Sequence, residues 1–247
     1  MQERRGWAFG FCALILKPLL LLLTKRDWVN GERLPARGGF VIVINHLSHL
    51  DPLTAAHLVF DHGRIPRYLA KAALFKVTFL GPIMRGAGQI PVERHSAAAG
   101  GAYSAAVEAV RDGKCVVVYP EGTITRDPDG WPMVGKSGAA RIALATGCPV
   151  IPVGQWGAQE ILPAYSSTPH FFPRKTIRMY VGEPVDLADL MSDPGRDEFE
   201  QATERIMDAI TGLVAEIRGE EPPAQRYDMR VQGDPYKKKR DDQREAG

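Results

Sequence analysis

The sequence predicts an α/β fold: a single domain with a mixed, largely parallel sheet flanked by helices, preceded by an N-terminal helical segment. Three observations predict it. Uninterrupted apolar runs of strand length recur along the chain; segments of helical character lie between them; and two of those segments stop at a glycine. With 247 residues, 45% hydrophobic and 24% charged, the chain suits one sizeable core.

Taken in order, Gly6–Leu23 (GWAFGFCALILKPLLLLL) is the most apolar stretch, interrupted at Lys17-Pro18. A straight helix of that length reaches roughly 27 Å, short of the ~30 Å hydrocarbon core of a bilayer. No small-residue cleavage site precedes Thr24-Lys25-Arg26-Asp27, so the segment does not read as a removed signal. Residues 1–37 carry seven Lys and Arg against three acids, and Trp7 and Trp28 stand near the two ends of the stretch. Residues 1–29 therefore read as a membrane-associating helix or helix pair lying in the interface, where each nearby cation gains about 1 kcal/mol from anionic lipid.

Asn30–Gly39 is a polar turn region. Phe40–Ile44 (FVIVI) then reads as a strand buried on both faces. Cys115–Tyr119, Val150–Val153 and Ile177–Val181 repeat the signal, and Gln89–Val92 repeats it more weakly. Ser96–Asp112 is Ala-rich and precedes Gly113; Ser137–Thr146 precedes Gly147. Pro194–Arg218 spaces Phe199, Ile206, Ile210, Leu213, Val214 and Ile217 along one helix face. Residues 30–218 thus form the domain, and 219–247 a charged C-terminal extension, mobile or draped over the surface, in which Lys237–Arg240 reads as a solvated charge run. Cys12, Cys115 and Cys148 are isolated, which fits reduced thiols and no metal centre.

Chemistry concentrates where the first buried run ends, at Asn45-His46-Leu47-Ser48-His49-Leu50-Asp51-Pro52. Asp51-Pro52 reads as a helix start, with Asp at the N-cap and Pro at the first helical position. A turn between His46 and Asp51 lets the carboxylate return to one imidazole nitrogen and leave the other to take a proton. The spacing alone also admits a plain helix cap beside an ordinary loop histidine. His49 is a competing base, but lacks the strand-end position.

Three further blocks follow in order: Gly88-Gln89-Ile90-Pro91-Val92-Glu93-Arg94, Tyr119-Pro120-Glu121-Gly122-Thr123, and Val150-Ile151-Pro152-Val153. With Asn45–Asp51 they resemble the glycerolipid acyltransferase family, whose pattern is Asn-His-x4-Asp, Gly…Arg, Phe-Pro-Glu-Gly-Thr and an apolar Val-Ile-Pro block. The resemblance spans residues 40–155. It implies transfer of a fatty acyl group from acyl-CoA, a co-substrate rather than a resident cofactor, to the free hydroxyl of 1-acyl-glycerol-3-phosphate. It further implies His46 as general base, Asp51 as its orienting partner, and Arg94 on the acceptor phosphate. Glu121, Gly122 and Thr123 would form the adjoining pocket, with Lys71 and Lys136 assisting the anionic groups. Two departures stand out: Tyr119 replaces the usual Phe, and Ile124 stands where the family has Arg, leaving Arg126 two residues later as its candidate substitute.

The implied setting is peripheral or monotopic, on the cytoplasmic membrane face, with membrane lipids, lysophosphatidic acid and acyl-CoA as partners and neither nucleic acid nor metal. Within the family, another glycerolipid or a phosphatidylinositol mannoside is an alternative acceptor. A non-catalytic lipid-binding protein is the rival of a different class. Gly130–Ser137 matches phosphate-loop spacing, but it lies well beyond the nearest strand and holds Trp131, Pro132, Met133 and Val134, so the match reads as chance. No Gly-x-Ser-x-Gly occurs to suggest a serine hydrolase.

Overall fold

The structure, a computed structural model, describes residues 6–92 and 99–236. In chain order it forms α1 (Trp7–Leu23), β1 (Thr24–Val29), β2 (Phe40–Ile44), α2 (Asp51–Asp61), β3 (Pro66–Lys71), α3 (Leu80–Gly86), β4 (Ile90–Val92) and α4 (Ala99–Arg111). There follow β5 (Cys115–Val118), α5 (Gly138–Thr146), β6 (Val150–Trp156), α6 (Ala158–Ile161), β7 (Lys175–Val181), α7 (Arg196–Arg218) and α8 (Met229–Gln232). One seven-stranded sheet runs β1-β7-β6-β2-β5-β3-β4. Among the described residues only β6 and β7 pair antiparallel, so the sheet is mixed and largely parallel.

The run FVIVI lies near the middle of that sheet because it is apolar on both faces. Phe40, Ile42 and Ile44 pack with Ala55, Leu58 and Val59 of α2. Val41 and Val43 join the opposite core with Ala106 of α4, Ile142 of α5, and Ile206, Ile210 and Val214 of α7. Gly147, read from the sequence as a helix stop, adopts φ of +66° after α5, and Gly219 adopts +65° after α7 in the same way.

Several expectations are corrected. Thr24–Val29, read with the N-terminal helical segment, is an edge strand paired in parallel with β7. Pro66–Lys71, unrecognised in the sequence, is a strand between β5 and β4. β6 continues to Trp156, and β7 begins at Lys175. Asp51 is the first residue of α2 rather than its cap, and Leu50 occupies the cap position. Gly130–Ser137 starts twelve residues beyond the end of β5, with Trp131 and Met133 buried, so its phosphate-loop spacing has no structural counterpart.

α1 is one helix that continues through Pro18, not a pair. Ala8 and Phe9 pack against Ile65, Ala87 and Phe60, and Lys17 Nζ meets Asp61 at 2.6 Å. Trp7, Phe11, Leu14, Ile15 and Leu22 are exposed, Leu14 to 75%. No helix among the described residues is long and apolar enough to cross a membrane.

The C-terminal extension is draped over the surface as far as Tyr236, and it is tied down. Tyr227 O accepts the Val134 N–H at 3.0 Å, and Arg226 pairs with Glu204 and Asp208 of α7. Lys237–Arg240 lie outside the described residues.

Candidate active site

Parallel pairing brings the carboxyl ends of β2, β5, β3 and β4 to one edge of the sheet, where loops leaving strands gather. The chain leaves β2 through Asn45, which is buried and cross-linked to Gln155 of β6. Asn45 Nδ2 donates to Gln155 O at 3.1 Å, Gln155 N donates to Asn45 Oδ1 at 2.8 Å, and Gln155 Nε2 donates to Asn45 O at 2.6 Å. This clamp fixes the point from which the next residue departs.

His46 follows, held by its backbone from both sides. Its N–H donates to Glu121 Oε1 at 2.8 Å, and its carbonyl accepts the Thr125 N–H at 2.8 Å. The His46 ring stacks on Tyr119 with centroids 4.3 Å apart and planes at 29°. Nδ1 lies 2.8 Å from Asp51 Oδ2. The Asp51 side chain is wholly buried, whereas that of His46 keeps 16% exposure, so only the imidazole reaches solvent. His49, the competing histidine, is exposed farther along the loop.

Asp51 Oδ2 also accepts the N–H groups of Leu47 and Ser48 at 2.5 and 2.8 Å. The carboxylate therefore folds the loop back on itself instead of capping α2. An oxygen serving as acceptor to two amides favours the imidazole tautomer with hydrogen on Nδ1, leaving Nε2 its lone pair. Ser48 Oγ donates to Leu162 O at 2.7 Å and accepts from Leu50 N at 3.1 Å, which secures the same loop from the β6–β7 side.

Glu121, which the resemblance assigns to the acceptor pocket, is engaged with the histidine loop. It is buried, its two oxygens accept the His46 and Met133 amides, and it braces the histidine loop from beneath. Burial pushes its carboxyl up to about 8, against those amides and the Thr125 hydroxyl, which favour the ionised form. Gly122 adopts φ +70°, and a Cβ there would come within 2.7 Å of Lys136 Nζ, so the lysine ammonium rests on the Glu-Gly-Thr turn. Thr123 is part-exposed on the same turn, and Lys71 is exposed at the carboxyl end of β3.

Arg126, the candidate for the place that Ile124 leaves, is engaged by groups of the protein itself. It is buried, its guanidinium stacks on Tyr165 at 4.2 Å, and its Nε lies 3.2 Å from Asp234 of the C-terminal extension. Arg94 lies outside the described residues; β4 ends two residues before it, with Val92 paired to Lys71. The structure thus joins His46 to Asp51 and, through Glu121, to the turn at which Gly122 and Lys136 meet. It adds Asn45, Gln155, Ser48 and Tyr119 as supports, of which Gln155 carried no sequence signal.

Comparison with known proteins agrees with this architecture. The family model described as Acyltransferase matches residues 26–156. The 1-acyl-sn-glycerol-3-phosphate acyltransferase of Bacillus subtilis (strain 168) is 27% identical over 205 residues, covering 83% of this chain and 96% of its own. The chloroplastic enzyme BAT2 of Brassica napus, also named a 1-acyl-sn-glycerol-3-phosphate acyltransferase, is 29% identical over 182 residues; these cover 72% of this chain and 51% of that protein. The crystal structure of the 1-acyl-sn-glycerophosphate acyltransferase PlsC from Thermotoga maritima superposes with a TM-score of 0.66 at 22% identity, covering 90% of this chain and 86% of that one. At that identity the likeness establishes the shared fold.

Proposed function

This chain belongs to the acyltransferase family, and from that premise we propose that it transfers a fatty acyl group from acyl-CoA to the sn-2 hydroxyl of 1-acyl-glycerol-3-phosphate, giving phosphatidic acid. The observation that carries the reading is the His46 Nδ1–Asp51 Oδ2 pair, 2.8 Å apart at the carboxyl edge of the sheet, its imidazole alone reaching solvent.

In this mechanism His46 Nε2 takes the acceptor's hydroxyl proton as the oxygen attacks the thioester carbonyl. Asp51 holds the ring and stabilises the imidazolium. The tetrahedral oxyanion collapses, the C–S bond breaks, and the departing thiolate recovers the proton from His46, so phosphatidic acid and free CoA leave. A positioned base of this kind contributes about 10²–10⁴-fold. Arg94, Lys71 and Lys136 would hold the phosphate, Arg94 through its planar fork.

The exposed apolar stripe of α1 supports work at a membrane surface, with the helix lying in the interface. The test is an acceptor panel of lysophosphatidic acid, glycerol 3-phosphate and phosphatidylinositol mannoside, assayed with labelled acyl-CoA and with the same acyl group on a carrier protein. Turnover restricted to lysophosphatidic acid is expected; preference for another acceptor, or retained turnover in His46→Ala, overturns the reading.

A further inference from the structure

The segment joining β3 to α3 is unusual for a soluble surface. Leu74, Val77, Phe79 and Leu80 are all exposed, Phe79 to 85%, and only Phe75 turns inward. Exposed large apolar residues this close together mark a contact surface rather than ordinary surface composition.

The exposure is built in. Phe75 O accepts Arg85 Nη1 at 2.7 Å, and Gly81 N donates to Val77 O at 2.8 Å. Gly81 packs so tightly that a Cβ there would come within 2.2 Å of Phe75 O. The base of the projection is therefore clamped from both sides, which holds its apolar tip outward.

Its electrostatics indicate what it meets. Residues 62–92 contain five Lys and Arg and no acid. Arg64, Arg67 and Arg85 are engaged with backbone carbonyls, while Lys71 and Lys76 are exposed beside the apolar tip. Apolar side chains flanked by lysines, in a stretch of chain without acids, suit an anionic lipid surface. The projection is also continuous with α1. The helix crosses α3 closely, and a Cβ at Gly86 would lie 2.9 Å from Ala8 Cβ and 3.5 Å from the Trp7 ring.

We propose that residues 74–80 form a second membrane-docking element, inserted into an anionic leaflet alongside α1. This rests on the reading that the protein works at a membrane and adds what α1 cannot supply. A single helix lying in an interface leaves the body free to roll about the helix axis. A second contact removes that freedom. The projection begins where β3 ends, two strand positions from β2, or roughly 10 Å. Docking it therefore sets the sheet edge that carries His46 against the lipid surface.

The full-length protein is tested on vesicles of phosphatidylcholine, with and without phosphatidic acid. Val77→Ser/Phe79→Ser is expected to lower partition onto both by about tenfold or more, and Lys76→Glu to lower it on the anionic vesicles alone. Thermal melting should not change, because these side chains are exposed. In a Trp7→Phe background, Phe79→Trp should gain fluorescence quenched by brominated phosphatidylcholine, relative to the background itself. Partition of the double Ser variant equal to that of the parent overturns the proposal. So does a change confined to self-association, which would make the projection a contact between copies of the chain. If the parent itself fails to bind vesicles, the membrane reading fails, whatever its acceptor; if the parent binds and only the variants match it, the second element alone fails.

Discussion

Glu121 Oε1 accepts the backbone N–H of His46 at 2.8 Å, while Glu121 Oε2 accepts that of Met133 at 3.1 Å. A carboxyl that shapes the base's loop is also one that burial pushes from 4.5 up to about 8. Across that window the folded chain holds a proton that the unfolded chain has lost. Stability should therefore fall as pH rises from about 4.5 to about 8 and level off above it. Urea unfolding across the window measures this, and Glu121→Gln should flatten the slope. Parallel slopes in the two proteins would show that Glu121 does not carry the dependence.

Asp51→Asn separates orientation from loop structure. Asp51 Oδ2 receives Leu47 N, Ser48 N and the His46 ring, and an amide oxygen serves these donors less well than a carboxylate. A stability loss of about 1–3 kcal/mol is expected, with kcat lowered by about 10²–10⁴ and both KM values little changed. Adding Asp51→Asn to His46→Ala should cost no further rate, because the two residues act as a unit. An additive loss in the double variant would separate them.

How much of this was legible in the sequence follows from what each residue touches. β2 declared itself because FVIVI is apolar on both faces, α5 because the glycine that ends it is a local signal, and α7 because its apolar residues line one face. β1 did not: Lys25 and Arg26 point outward on an edge strand whose pairing partner lies some 150 residues away. β3 was hidden because its polar groups are satisfied at a distance, Arg67 by Ala87 O and Tyr68 by Pro52 O. The same limit governs the site. His46 and Asp51 are five residues apart and could be paired on paper, but the Asn45–Gln155 clamp spans 110 positions and leaves no local trace. Glu121 was recognised as part of a motif, but its hydrogen bonds to the His46 and Met133 amides, 75 and 12 positions away, leave no local trace.

Gly122→Ala tests whether Lys136 serves the acceptor. At φ +70° a Cβ is strained by about 1–2 kcal/mol, and its nearest contact is the mobile end of Lys136, so the ammonium yields before the backbone does. The expected result is a melting point a few degrees lower and a raised KM for the lysophospholipid, with the KM for the thioester unaffected. Lys136→Ala should reproduce the KM effect without the strain. If Lys136→Ala leaves acceptor KM unchanged, the lysine has no part in holding the phosphate.

Arg126 poses the sharpest choice between binding and structure. Its side chain is 4% exposed, over the Tyr165 ring, and paired with an Asp234 that is itself 18% exposed. Removing one member of such a pair strands the other, whereas replacing both with apolar groups removes the desolvation cost along with the attraction. Asp234→Leu alone should therefore destabilise by about 1–3 kcal/mol, and Arg126→Met/Asp234→Leu by less, as read from denaturant midpoints. The kinetics decide the role. A guanidinium already committed to a carboxylate and an aromatic face has little left for a substrate phosphate, so the double variant should keep the acceptor KM of the parent. Arg94→Ala should raise that KM much more than the donor's. Should the Arg126 variant show the larger acceptor effect, the pairing with Asp234 must open during turnover, and Arg126 would regain the role that Ile124 leaves vacant.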